Sequence, residues 1–444
     1  MHRCQDVTTP LSCIHVLHAF PISAVLFCLA TLLSTIDVSF AATRTAASCS
    51  RADVGDAVNR ATNGDTVLIP AGQCTWTTNL TIRGKFLTIR GAGIDKTVLT
   101  DGVGKGKYPN VPQVLSWVMP ISGLSRLSGI TFQGGSITDS ANKGMVLVAG
   151  GSHQFRVDHN KFIPTQTSGL MIIGNHWGVV DHNVFDVSAN HGYGTYIHEA
   201  NYGDESWAEG STLGTEQNVF LEDNVFTQDQ SKGYFYPGQD GWSGHRVVVR
   251  YNTFYDTKAS NHGTETSGRW RSARQFEYYN NTWTLNMRGH FEPAAISIRG
   301  GTGVVFNNSV TVSDGMTNHL VEFKYLRAKA SHSPWGQCPA AWDLAEDRCI
   351  DQIGVGKGKL LSGFSPTPAE WPEQMNDPVY VWNNRVNGKL SLPISPTPTV
   401  VQVGRDVIHS PKPEYTPYTY PHPLVTSSDT KGAAPAPPQT LTAH

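Results

Sequence analysis

Through the middle of the chain one pattern of apolar and polar positions keeps returning. It consists of two or three β-forming residues, a polar residue, Asn, any residue, then an aromatic. It reads FRVDHNKF at 155–162, VVDHNVF at 179–185, VFLEDNVF at 219–226, VVVRYNTF at 247–254 and FEYYNNTW at 276–283. A weaker copy is VVFNNSV at 304–310, and LTIRGAG (87–93) and LSGITFQG (127–134) are earlier copies without the Asn. Asn160, Asn183, Asn224, Asn252, Asn281 and Asn308 follow one another at 23, 41, 28, 29 and 27 residues. A period in the twenties marks one supersecondary unit per repeat, stacked on its neighbours. The alternation makes each unit strands rather than helices. The repeat Asn fits a turn residue that tolerates the left-handed region, with its amide bonded to the equivalent Asn one unit on. The aromatic then points inward and stacks on the ring above. These features predict an all-β solenoid, a parallel β-helix; a β-sandwich is the alternative.

The helical period returns only near the N-terminus. Ser50 to Ala61 has a capping-box-like Ser50-x-x-Asp53, with Val54, Ala57, Val58 and Ala61 at helical spacing. A short amphipathic helix there would cover the open end of the coil, as a solenoid requires. GDTVLIPAGQCTW (64–76) then leads into the first strand. Before this, Ile22 to Leu33 is an apolar run too short to span a bilayer, and Ser39-Phe40-Ala41 is a small-x-small site. Residues 1–41 therefore read as a secretory signal peptide, and the chain is expected to be exported, with no membrane partner after cleavage. Cys49, Cys74, Cys338 and Cys349 remain, an even number in an exported chain, which points to disulfides. Three pairings exist; proximity favours Cys49–Cys74 and Cys338–Cys349. The spacings do not suit a structural zinc site. The expected body is residues 42–392, followed by a Pro-rich tail at 393–444. In that tail PYTYPHPL (417–424) can dock on the body, whereas SSDTKGAAPAPPQTLTAH is expected to be disordered.

Composition agrees with a turn-rich β protein, with 43 Gly among 444 residues. A formal charge of −2 and no basic stripe argue against nucleic acid as a partner.

ADVGDAVNRATNGDTVLIPAGQCTW, the RGAG of 90–93 and the two VDHN copies resemble the pectate-lyase-like superfamily over about residues 49–330. The resemblance implies a single-stranded right-handed parallel β-helix with an N-terminal capping helix. It also implies a monomer. For activity it is broad, because that superfamily includes lyases, hydrolases, epimerases, esterases and adhesins.

Three consecutive repeats carry long insertions, at 187–217, 227–246 and 255–274. In a solenoid, insertions at equivalent points project from one face and would wall a groove. Their contents suit a polysaccharide. Tyr193, Tyr196, Trp207, Trp242 and Trp270 can stack on pyranose rings. His198, Glu199, Asp240, Arg246, His262, Glu265 and, one unit further, Arg299 can bind hydroxyls or carboxylates. The segments GTYIHEA (194–200), YFYPGQD (234–240), GTETSGR (263–269) and AISIRGG (295–301) are expected to stack in one sheet, concentrating these groups.

The segment NHGTETSGRWRSAR (261–274) is the densest in ionic groups. Pectate lyases have a segment R-x-P-x-x-R before a strand ending in Asn-Asn, and its first Arg is the catalytic base. Arg269 and Arg274 match that spacing, and Arg271 replaces the proline. The resemblance thus implies β-elimination on a uronic acid, with the substrate carboxylate neutralised by Arg or by a bound Ca²⁺. Guanidinium normally stays protonated, so crowding by Arg271 and Arg274 would have to lower the pKa of Arg269. His262 is the simpler base, with Arg269 as the carboxylate clamp; the sequence leaves both open. Two rivals remain. One is a glycoside hydrolase pairing Glu199 with Asp240 or Glu265. The other is a non-catalytic carbohydrate-binding or adhesin protein. The sequence identifies no metal ligands.

Overall fold

The computed structural model describes residues 41–105, 112–135, 144–165, 168–188, 193–198, 210–229, 237–263, 272–286, 294–313, 319–328, 337–339, 349, 351–357, 375–395 and 398–429. The apolar run at 22–33 lies outside the described residues.

Among the described residues each complete coil gives one short strand to each of three sheets, of twelve, eleven and nine strands, parallel except for the antiparallel pair Arg385–Val386 and Lys389–Leu390. In one coil, Phe155–Asp158 lies in the twelve-stranded sheet, Lys161–Ile163 in the eleven-stranded sheet and Leu170–Ile173 in the nine-stranded sheet. Gly178–Asp181 then returns to the first sheet, paired with Phe155–Asp158. The register holds along the axis. Val157, Val180, Leu221, Val249, Tyr278, Val305 and Val381 form one aligned, buried column. This is the expected parallel β-helix.

The turn between the twelve- and eleven-stranded sheets explains the repeat. Each repeat Asn donates its amide into the coil. Asn183 Nδ2 bonds Val157 O at 2.8 Å, Asp181 O at 2.9 Å and Asn224 Oδ1 at 3.0 Å, and Asn183 Oδ1 accepts from the backbone N of Asn160. With the Asn turned inward, the left-handed position falls on the residue before it, not on the Asn itself as expected. His159, His182, Asp223, Tyr251, Asn280 and Asn307 have φ of 53–56°. The ladder runs on from Asn308 to Asn384, 76 residues later. That step identifies VYVWNNRV (379–386) as a further copy, which the sequence reading passed over. The inward aromatics stack as expected: Phe132, Phe162, Phe185, Phe226, Phe254 and Trp283, with centroids 4.5–5.4 Å apart.

The helix Arg51–Arg60 starts at the expected cap, Ser50 Oγ accepting from Asp53 N at 3.1 Å. The reciprocal half of the box is relayed: Ser50 N bonds Ser48 Oγ, whose hydroxyl bonds the Asp53 carboxylate. Cys49 pairs with Cys74 and Cys338 with Cys349, the pairing that proximity favours.

The C-terminal segment is more than a tail. Val407–Ile408 joins the twelve-stranded sheet, and residues 412–429 then run back along its outer face as a strap ending in the helix Pro423–Asp429. PYTYPHPL docks, and so do residues on both sides of it. The outer face under the strap holds Val179, Phe220, Val248, Tyr279, Val304 and Phe306 as a second apolar cluster. Buried ions accompany it. Arg156 pairs with Asp181 at 2.8 Å and also donates to Val425 O, while Arg250 pairs with Glu222 at 2.6 Å and donates to Tyr418 O and Thr419 O. Tyr420 OH bonds Asp223, and Tyr415 OH bonds Glu277.

Glu277 gives this strap a pH dependence. Burial pushes its carboxyl up to about 7, against the hydrogen bonds from Tyr415 and Gly214 and the attraction of Arg250. Tyr279 lies close enough to interact as well. A carboxyl raised on folding contributes stability that is full below its ordinary value of 4.5 and is lost as pH rises through about 7. Glu277→Gln should therefore melt more evenly with pH. Relative to the variant, the wild type should lose on the order of 2–3 kcal/mol between about pH 5 and pH 9. Parallel melting curves for the two across that range would show that Glu277 does not titrate there.

Candidate active site on the nine-stranded sheet

Alternate residues of a strand face opposite sides of the sheet. On the strand Thr195–His198, Ile197 enters the core, so Tyr196 and His198 face out. On the neighbouring strand Pro237–Trp242 the register sets Asp240 beside Tyr196 and Trp242 beside His198. The next strand is Lys258–Asn261, with His262 directly after it, held by its backbone N on Gly241 O at 2.8 Å. This corrects the expected stacking. KASN, not GTETSGR, fills this coil, because the chain re-enters the sheet two residues after Asp256, too soon to reach the Gly/Thr/Ser-rich stretch.

The result is a close pair. His262 Nδ1 lies 2.9 Å from Asp240 Oδ1 and 2.8 Å from Oδ2. Asp240 is 0% exposed and His262 is 7% exposed. Asp240 Oδ1 also accepts from Gly241 N at 2.8 Å. A carboxylate on Nδ1 places the neutral imidazole's proton there and leaves Nε2 as a base. Tyr193 stacks on Tyr196 at 4.6 Å, and the His198 ring lies 4.8 Å from Trp242. Tyr196 is buried beneath Tyr193, so among the described residues here the half-buried Tyr193 and Trp242 are the rings a ligand can touch.

Sequence reasoning missed His245, which lies in the same insertion as Asp240 and Trp242. It is fully buried under Gly241, where a Cβ would come within 2.8 Å of its ring. Burial pushes His245 down to about 4, against the Asp240 carboxylate and a backbone hydrogen bond at Trp242; His198 and His262 add to the downward push. A neutral imidazole therefore packs beneath the pair at neutral pH. The sequence also missed the polar column Ser260, Ser297, Glu322, aligned across three strands and buried.

The arginines are spread along the edge toward the twelve-stranded sheet. Arg246 is buried, with Nη1 3.5 Å from Asn175 Oδ1. Arg274 is fully buried and its backbone N bonds His245 O. Arg299 is half-buried, its backbone N on Asn261 Oδ1. Glu199, Trp207, Glu265, Arg269, Trp270 and Arg271 lie outside the described residues. The insertions do not leave at one point: the nine-stranded sheet passes through them. The connections 187–194 and 228–236 enter one edge of that sheet, and 199–218 and 262–274 leave the other.

Among the described residues no group of three or more His, Cys, Asp or Glu side chains could hold a metal ion. The acids described near these coils are dispersed: Asp240 on His262, Glu222 on Arg250, Asp223 on Tyr420 and Glu216 on the surface. Glu199 and Glu265 lie outside the described residues, and no step below is routed through Ca²⁺. No helix among the described residues is long and apolar enough to cross a membrane.

No protein-family profile matches the chain, and no curated protein matches it significantly. Among solved structures it is similar to the alginate lyase from Paenibacillus sp. strain FPU-7. The TM-score is 0.42 at 10% identity, covering 79% of this chain and 97% of that one. It is also similar to the catalytic domain of a GH87 α-1,3-glucanase variant in complex with nigerose. There the TM-score is 0.26 at 13% identity, covering 80% of this chain and 66% of the other.

Proposed function

We propose that this chain is a secreted polysaccharide-active enzyme that cleaves a uronic-acid glycan by β-elimination. The observation that supports this most directly is the His262–Asp240 pair on the outer face of the nine-stranded sheet, flanked by Tyr193 and Trp242. Nε2 of His262 takes the proton at C5 of the uronate. The C–H electron pair forms the C4–C5 double bond, the C4–O bond breaks, and the leaving oxygen is protonated by solvent. Asp240 stabilises the imidazolium as it forms. The substrate carboxylate gains negative charge and needs a cation; among the described residues the half-buried Arg299, whose backbone N bonds Asn261 Oδ1, is the candidate.

A hydrolase needs two carboxyls roughly 5–10 Å apart. Among the described residues Asp240 is engaged by His262, and Glu322 lies three strands further along the sheet, about 14 Å by strand spacing; a carboxylate already committed to orienting an imidazole suits proton abstraction.

The test is a panel of polyuronates and neutral glycans, with and without Ca²⁺, followed in parallel for unsaturated uronide absorbance and reducing ends. The expected result is absorbance rising together with reducing ends on one polyuronate. Reducing ends alone would establish hydrolysis instead. Silence throughout would favour a binding protein.

A further inference from the structure

The strap does more than cover apolar surface. Where it crosses the coils of Phe155–Asp158 and Gly178–Asp181 it closes one side of an open pocket of about 270 Å³. The other side is the turn before each of those strands. His153 and Trp177 stack there with centroids 3.7 Å apart and planes within 6°. Tyr418 and His422 come from the strap, and the exposed side chains of Gln154 and Glu216 stand at the rim. This pocket lies against the twelve-stranded sheet, away from the His262–Asp240 pair on the nine-stranded sheet.

We propose that this pocket is a second carbohydrate site, for a neutral pyranose of an oligosaccharide. Its size suits one sugar ring, below the roughly 300 Å³ at which drug-sized pockets begin. Aromatic rings offer flat apolar surface for the C–H face of a sugar. An amide and a carboxylate at the rim can each bond two neighbouring hydroxyls. The charge sets the preference for a neutral ring. Glu216 is the acid at the rim. Burial lowers the His153 pKa, with Glu216 opposing, and pushes His422 down to about 3, aided by Arg250 and Arg156. His422 is thus uncharged at neutral pH, and among the described residues that line the pocket Glu216 is the charged group a uronate would meet. The site would anchor the protein on a neutral glycan while the His262–Asp240 site works on another chain.

The test is calorimetric titration of the full chain with glucose, galactose and mannose trisaccharides and with a trigalacturonate, at millimolar concentration. The expected result is binding of at least one neutral trisaccharide, weakened at least tenfold in Trp177→Ala and in Glu216→Gln, and unchanged in His262→Ala. Glu216→Gln changes one exposed side chain, so it decides the matter if Trp177→Ala fails to fold. Three results would overturn the proposal: no neutral sugar bound, binding indifferent to Glu216→Gln in a folded chain, or binding lost in His262→Ala, which would place the sugar at the His262–Asp240 site. Failure of the elimination reading would leave this outcome unaffected, because no turnover is measured.

Discussion

His262→Ala should lower turnover on the responsive polyuronate by about 10²–10⁴-fold, the usual worth of a positioned general base. KM should change little, because the imidazole acts on the C–H bond as it breaks and contributes little to holding the ground state. Asp240→Asn should be comparably severe for a different reason. An amide donating to Nδ1 would move the imidazole proton to Nε2, the nitrogen that must accept. The acid limb of the pH–rate profile separates base from bystander: it should report the imidazole in the wild type and disappear in His262→Ala. A variant keeping full turnover with the same profile would move the base to the arginine segment 269–274, the other reading the sequence left open.

Asn252→Ala should destabilise the solenoid strongly. Asn252 Oδ1 accepts from Asn224 N and Asn224 Nδ2, both at 3.0 Å. Its Nδ2 donates to Leu221 O, Arg250 O and Asn281 Oδ1. Alanine leaves the buried backbone N–H of Asn224 without an acceptor, at about 1–3 kcal/mol, removes the donor to Leu221 O and opens a polar void; Asn224 Nδ2 keeps Val180 O and Glu222 O. A loss of about 2–4 kcal/mol follows. Asn252→Asp gives a sharper test. It keeps the acceptor for Asn224 but sets a carboxylate against three acceptor oxygens, so it should be at least as destabilising. Urea midpoints of the two variants against wild type check this. Near-wild-type stability for Asn252→Asp would mean that the ladder tolerates slippage.

The fold was legible because its repeat is written in residues with one job each. The inward Asn, the inward aromatic and the period of the valine column recur at fixed offsets, and no distant partner is needed to recognise them. VYVWNNRV escaped because 76 residues separate it from the copy before. The site was legible only in part. Asp240, Trp242 and His198 declared themselves as polar and aromatic groups in inserted loops. The pairing of Asp240 with His262, 22 residues apart, depends on which tetrapeptide fills the next rung, and short irregular strands do not announce that. His245 was invisible for a related reason: a histidine in a Gly/Ser-rich turn looks exposed until the coil closes over it. The strap was hidden because Pro-rich composition describes both a loose tail and an extended segment whose partners lie 138–269 residues back.

That last distance bears on how the molecule is made. Coils can form one after another as the chain leaves the ribosome, each on the edge of the one before. The strap is synthesised after every coil it touches, those containing Arg156, Glu222, Arg250 and Glu277. Until it arrives, Phe220 and Tyr279 face water along an unfinished seam. Once docked, it ties early rungs to late ones, so a solenoid that would otherwise fray from its end must open several rungs together.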